Sequence, residues 1–139
     1  MTTETNKAAV RRFHECFDAG DWDGIEKLMS RDVKAYNNGA EGVLDFAAFK
    51  AMGQSVMAGF SQSRMVFAQQ VAEGDSVATR MMWTAIHSGT FNGIPPTGRP
   101  ARMEESTFDV IKNGKIIEHH ALFDAMGLLT QIGAIPVPA

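Results

Sequence analysis

Apolar residues recur at Ala9, Val10, Phe13, Cys16 and Phe17, spacings of one, three and four that gather on one face of a helix. The pattern opens near Ala8 and is closed by "AGD". "DWDGIEKLMS" predicts a short second helix with Trp22, Ile25, Leu28 and Met29 inward, capped by Asp21 or Asp23. "RDVKAYNNGAEG" reads as a strand running into a turn. "LDFAAFKAMGQSVMAGF" predicts a third helix with Asp45 as N-cap and a buried stripe of Phe46, Phe49, Val56, Met57 and Phe60.

After Phe60 the period falls to two. "SRMVFAQQVAEGDSVATRMMWTAIHSG" predicts two long strands joined near Gly74–Asp75. "RPARMEESTFDVIKNGKIIEHHALFD" predicts two more, joined at Asn113–Gly114, a pair whose tolerance of positive φ suits a tight hairpin. A last short helix is stopped by Gly133 and Pro136. Three helices first and long antiparallel strands afterwards argue for an α+β domain, a curved antiparallel sheet with helices over one face. Such a sheet can enclose a ligand cavity.

The last strand, "IIEHHALFD", carries ionisable groups where a core strand would be apolar, and burying them is costly unless they are partnered or used. With regular pairing, Glu118, His120, Leu122 and Asp124 share one face, and His119, Ala121 and Phe123 the other. The first set is expected to line the cavity, with His120 in the pocket; His119 is assigned to solvent or a dimer contact. At a strand–helix junction Asp124 is equally suited to capping the helix. Glu104 and Glu105 must face opposite sides. Phe108 and Val110 share the parity of Glu104, and Met103 and Ile111 that of Glu105, so alternation alone does not choose. Asn37, Arg80, Trp83, His87 and Phe108 complete the expected pocket residues: Asn37 as a hydrogen-bond donor, Arg80 as a partner for a buried carboxylate, Trp83 as wall, and His87 at the start of the loop "HSGTFNGIPPTGR". "EHH" is not expected to bind metal, because adjacent strand histidines diverge and no further ligands converge.

Composition narrows the classes. A chain of 139 residues suits one domain, here 1–139, and 45% hydrophobic with 21% charged residues is ordinary for a globular protein. A net charge of −3 without a Lys/Arg cluster gives no reason to expect nucleic acid. The single cysteine, Cys16, allows no intramolecular disulfide. No apolar run could span a bilayer, so a cytoplasmic, membrane-free protein is expected. A Gly-x-Ser-x-Gly or cysteine-nucleophile motif is missing, which argues against acyl-enzyme chemistry.

"HSGTFNGIPPTGR" (His87–Arg99) followed by "NGKIIEHHALFDAMGLLTQIGAIP" (Asn113–Pro136) resembles the SnoaL-like polyketide cyclase, or "ester cyclase", family of the nuclear transport factor 2-like superfamily. The resemblance implies a cone-shaped α+β barrel with a deep pocket, a homodimer, and no cofactor. It also implies acid/base chemistry on a small apolar carbonyl-containing molecule: aldol cyclisation, isomerisation or hydration/dehydration. In the family's cyclases an aspartate just after the last strand is the general acid/base, which would be Asp124, helped by a histidine on a neighbouring strand. Here the shared parity of the last strand makes His120 its expected partner, and alignment with the family favours Glu105 as the cavity-facing member of the glutamate pair. The chain departs from the pattern at His120, where the family commonly has tryptophan, and in having no histidine between Ala101 and Ile111. The other reading is a non-catalytic small-ligand-binding protein or dimeric scaffold on the same fold.

Overall fold

Among the described residues, three of the four helices begin on an aspartate, because a short carboxylate can accept from the N–H groups that a first helical turn leaves unpaired. The computed structural model describes residues 2–136; Met1 and residues 137–139 of the expected domain lie outside the described residues. Helix α1 (Thr3–Ala19) is started by a Thr2/Thr5 capping box and ends in the left-handed Gly20. Asp21, Asp45 and Asp124 cap α2 (Trp22–Leu28), α3 (Phe46–Gly59) and α4 (Ala125–Gln131). The strands are β1 (Met29–Asn37), β2 (Phe60–Glu73), β3 (Ser76–His87), β4 (Pro100–Lys112) and β5 (Lys115–Phe123). Phe60, expected at the end of the third helical stripe, instead opens β2.

The sheet order is β1-β5-β4-β3-β2, antiparallel except for the parallel pair β1–β5. Helices pack on one face, giving a curved α+β architecture. Two apolar clusters hold it. One, around Phe13, Ile25, Met29, Phe49 and Ile116, joins the first three helices to the sheet. The other, around Phe60, Trp83, Met103, Leu128 and Ile132, seats α4. Buried residues alternate regularly along β3 from Val77 to His87, as expected for a strand with one covered face.

The β4–β5 hairpin turns at Asn113 and Gly114, with φ of 52° and 76°. It starts in regular register, Lys112 opposite Lys115 and Ile111 opposite Ile116. The register then shifts, and Val110 faces Glu118, Asp109 faces His119, Thr107 faces Ala121 and Glu105 faces Phe123. Ile117 is the extra residue. Such a bulge transfers every later side chain to the opposite face. It turns His119, Ala121 and Phe123 inward and Glu118, His120 and Leu122 outward, reversing what regular alternation predicts.

Candidate active site

The helices and the concave sheet face enclose a cavity of about 410 Å³. Aromatic and methionine side chains dominate its wall, among them Phe17, Phe49, Met65, Trp83, Phe91 and Met103. Its ionisable groups come from α1 (His14, Asp18), β4 (Glu105) and β5 (His119).

His119 and Asp109 are cross-strand partners created by the bulge. His119 Nδ1 donates to Asp109 Oδ1 at 2.6 Å, with both side chains almost fully buried. That bond fixes the imidazole and leaves Nε2 for the cavity the residue lines. Phe13 and Phe49 meet the ring edge-on, with centroids 5.6 and 5.5 Å away. Burial by itself would lower the His119 pKa, but the Asp109 charge and hydrogen bond, with the Glu105 charge, carry it above its ordinary value. Among the described residues, the second carboxylate oxygen of the pair, Asp109 Oδ2, and the nearby Thr107 Oγ1 are buried without hydrogen-bond partners.

Glu105 lies on the same inner face of β4, two pleats from Asp109. Burial pushes its carboxyl up to about 7; the Asp109 charge adds to the rise and His119 opposes it. His14 shows the opposite case. Without a bonded carboxylate, burial takes it down to about 4, the His119 charge reinforcing and Asp109 opposing. The cavity therefore brings together a carboxyl poised near neutrality, a histidine biased toward its charged form and a histidine held neutral.

Of the residues expected from sequence, Glu105, Asn37 and Trp83 line the cavity. Asn37 donates to Met52 Sδ at 2.7 Å and leaves its Oδ1 unpartnered. Trp83 Nε1 donates to Ser63 Oγ at 2.8 Å, and Ser63 in turn donates to Asp18. The structure places the other expected residues away from the cavity lining. Asp124 caps α4, accepting from Gly127 N at 2.8 Å, while its neighbours Phe123 and Ala125 reach the cavity. His120 is on the outer face, stacked on Tyr36 at 4.5 Å and donating to Glu118 at 2.7 Å. Arg80 pairs with Glu104 at 3.4 Å on that same outer face. Phe108 is also outside, 55% exposed, because it shares the parity of Glu104. His87 is buried beneath the loop that follows β3, where Nδ1 accepts from the Thr97 backbone N–H.

Sequence reasoning missed His14, His119 and Asp109. Asp109 could have been found, since it shares a face with Met103, Glu105 and Ile111. His119 could not, since its direction depends on a bulge that no residue type announces.

The family model described as SnoaL-like polyketide cyclase matches residues 7–132. The chain belongs to that family. Among solved structures, AclR from Streptomyces galilaeus, a proposed hydroxylase, superposes with a TM-score of 0.90 at 25% identity, covering 99% of this chain and 87% of that one. IdmH from Streptomyces antibioticus, a proposed polyketide cyclase, gives 0.82 at 28% identity over 92% of this chain and 98% of IdmH. A proposed SnoaL-like polyketide cyclase from Jannaschia sp. CCS1 shares the fold, with a TM-score of 0.86 at 23% identity over 96% and 95% of the two chains. No curated protein sequence matches significantly. Among the described residues, no helix of this SnoaL-like chain is long and apolar enough to cross a membrane.

Proposed function

We propose that this SnoaL-like protein is an acid/base enzyme of the cyclase or isomerase type, acting on a small apolar carbonyl-containing molecule in the cavity without a cofactor. The observation that carries the reading is the pairing of Glu105, with a pKa near 7, and the Asp109-anchored His119 on one wall of an apolar pocket. A general base works best when its pKa lies near the working pH, and the matching acid must hold a proton there. Glu105 as carboxylate takes a proton α to a carbonyl. His119 Nε2–H gives one to the oxygen on which negative charge develops, leaving a neutral imidazole that Asp109 holds in place. In an aldol closure the enol carbon attacks a second carbonyl, whose oxygen takes the proton held by Glu105 while the enol O–H returns its proton to His119. In an isomerisation the Glu105 proton goes to another carbon and the enol proton again returns to His119. We assign these roles to Glu105 and His119 in preference to Asp124 and His120.

The test is hydrogen–deuterium exchange at the α-carbon of 2-acetylnaphthalene in D2O, followed by NMR. The protein should accelerate exchange above buffer, and Glu105→Gln should lose on the order of 100-fold of that acceleration. Binding without any acceleration would leave the non-catalytic ligand-holding reading in its place.

The same proposal includes a homodimer formed through the outer sheet face, supported by the half-exposed Phe108 and Leu122 on adjacent strands. Light scattering should give twice the chain mass for the wild type and the chain mass for Phe108→Asp.

A further inference from the structure

The two cavity histidines are held in different ways. His119 is bonded to Asp109, whereas His14, 4% exposed, lines the cavity without a hydrogen bond among the described residues; its Nε2 is sealed off, which leaves Nδ1 as the nitrogen a ligand can reach. Its ring neighbours are Phe13 and Phe67, centroids 5.1 and 6.1 Å away, neither of which can satisfy a nitrogen as a carbonyl would. A buried polar group with nothing to bond is costly to keep, and in a ligand cavity the ligand itself is a natural source of the missing partner. His14 stands on α1, across from the sheet strands that carry Glu105 and His119. A neutral imidazole there offers an N–H without a charge, which suits a carbonyl oxygen; a ligand anion would meet Asp18 and Glu105 in the same cavity.

We propose that His14 is a specificity-determining ligand contact, donating a hydrogen bond from the helix wall to a carbonyl oxygen of the apolar molecule on which Glu105 and His119 act from the sheet wall. This rests on the acid/base reading of the cavity and adds to it the direction from which the carbonyl is held. The imidazole neutrality that burial enforces, with a pKa near 4, keeps the donor uncharged throughout the physiological range.

The test compares two probes of nearly equal shape, 2-acetylnaphthalene and 2-ethylnaphthalene, titrated against the intact protein by the fluorescence of its tryptophans, of which Trp83 forms part of the cavity wall. Wild type should bind the ketone about 5-fold or more tightly than the hydrocarbon, the scale of one hydrogen bond. His14→Phe should bring the two within about 2-fold while leaving hydrocarbon binding unchanged, and should melt no lower than wild type because no intramolecular bond is lost. His14→Gln, which keeps a neutral N–H, should retain a preference for the ketone and covers the case in which the phenylalanine variant fails to fold. A ketone preference that persists in His14→Phe, or a glutamine variant without one, overturns the His14 assignment and leaves the acid/base reading standing. If neither probe binds wild type, both fall. Ketone preference through His14 without α-proton exchange supports this contact and overturns only the catalytic reading.

Discussion

Replacing Glu105 by glutamine should make the protein more stable, but only at alkaline pH. The rise of the Glu105 pKa from 4.5 to about 7 means that the fold prefers the protonated carboxyl. Its contribution is fully present below pH 4.5 and is lost as the pH climbs through 7. The rise corresponds to about 3 kcal/mol of folding free energy. The attraction between ionised Glu105 and charged His119 is already contained in that net rise, so nothing further is deducted for it. Glutamine is a permanent stand-in for the protonated form. Urea melts of wild type and Glu105→Gln should therefore differ by less than about 1 kcal/mol near pH 5 and by the full amount at pH 8.5, with the variant the more stable. Thermal melts at pH 8.5 should differ by roughly 6–10 °C for a chain of this size. His14, whose lowered pKa weakens the fold as the pH falls from 6.5 toward 4, acts on both proteins alike and cancels in the comparison. A gap of equal size at pH 5 and 8.5, or a variant less stable at pH 8.5, would show that Glu105 is not desolvated in the way its position requires.

Asp109→Asn should cost about 3–5 kcal/mol, since it breaks a buried ion pair, and should let burial take the His119 pKa below 6.5; imidazole C–H shifts followed by NMR against pH read the second effect. Asp124→Asn should leave α-proton exchange unchanged and stability within about 0.5 kcal/mol, because asparagine caps a helix nearly as well, while Asp124→Ala should cost about 1 kcal/mol. Exchange abolished in a folded Asp124→Asn protein would return the catalytic role to that residue. Gly89→Ala would put a Cβ 2.1 Å from the Ala58 carbonyl oxygen, so the loop bearing Phe91 must move; a loss of about 2 kcal/mol or more and weaker probe binding are expected.

The order and type of the elements are legible in the chain because helical and strand periods separate cleanly at Phe60 and the turn chemistry is explicit at Asn113–Gly114. Helix starts are legible too, as aspartates stand at three of them. The parallel pairing of β1 with β5 is not, since it joins segments far apart in sequence and depends on closure of the whole sheet. The site is half legible. Glu105 follows from the apolar parity of Met103 and Ile111 once that face is known to be covered. Reading β5 fails for a physical reason: alternation is a relative statement, and one unpaired residue after Ile116 inverts it. Family likeness does not repair this, because it fixes positions along the strand and not the direction in which this chain's own side chains point.

The hairpin turn and the cavity pair make opposing demands on how this sheet assembles. A hairpin zipping from Asn113–Gly114 without a bulge would set Asp109 against Glu118, two carboxylates side by side on a face about to be covered. Taking in Ile117 replaces that repulsion with an aspartate–histidine attraction and moves Glu118 out beside Lys34 of β1. Electrostatics thus adds to apolar burial in favouring the bulged register over the one the turn alone would set. When the carboxylates are protonated the penalty on the unbulged register disappears, so refolding in acid should populate a mispaired hairpin that neutral refolding avoids. The carboxylate–imidazole pair that equips the cavity thus also helps to hold its strand the right way out.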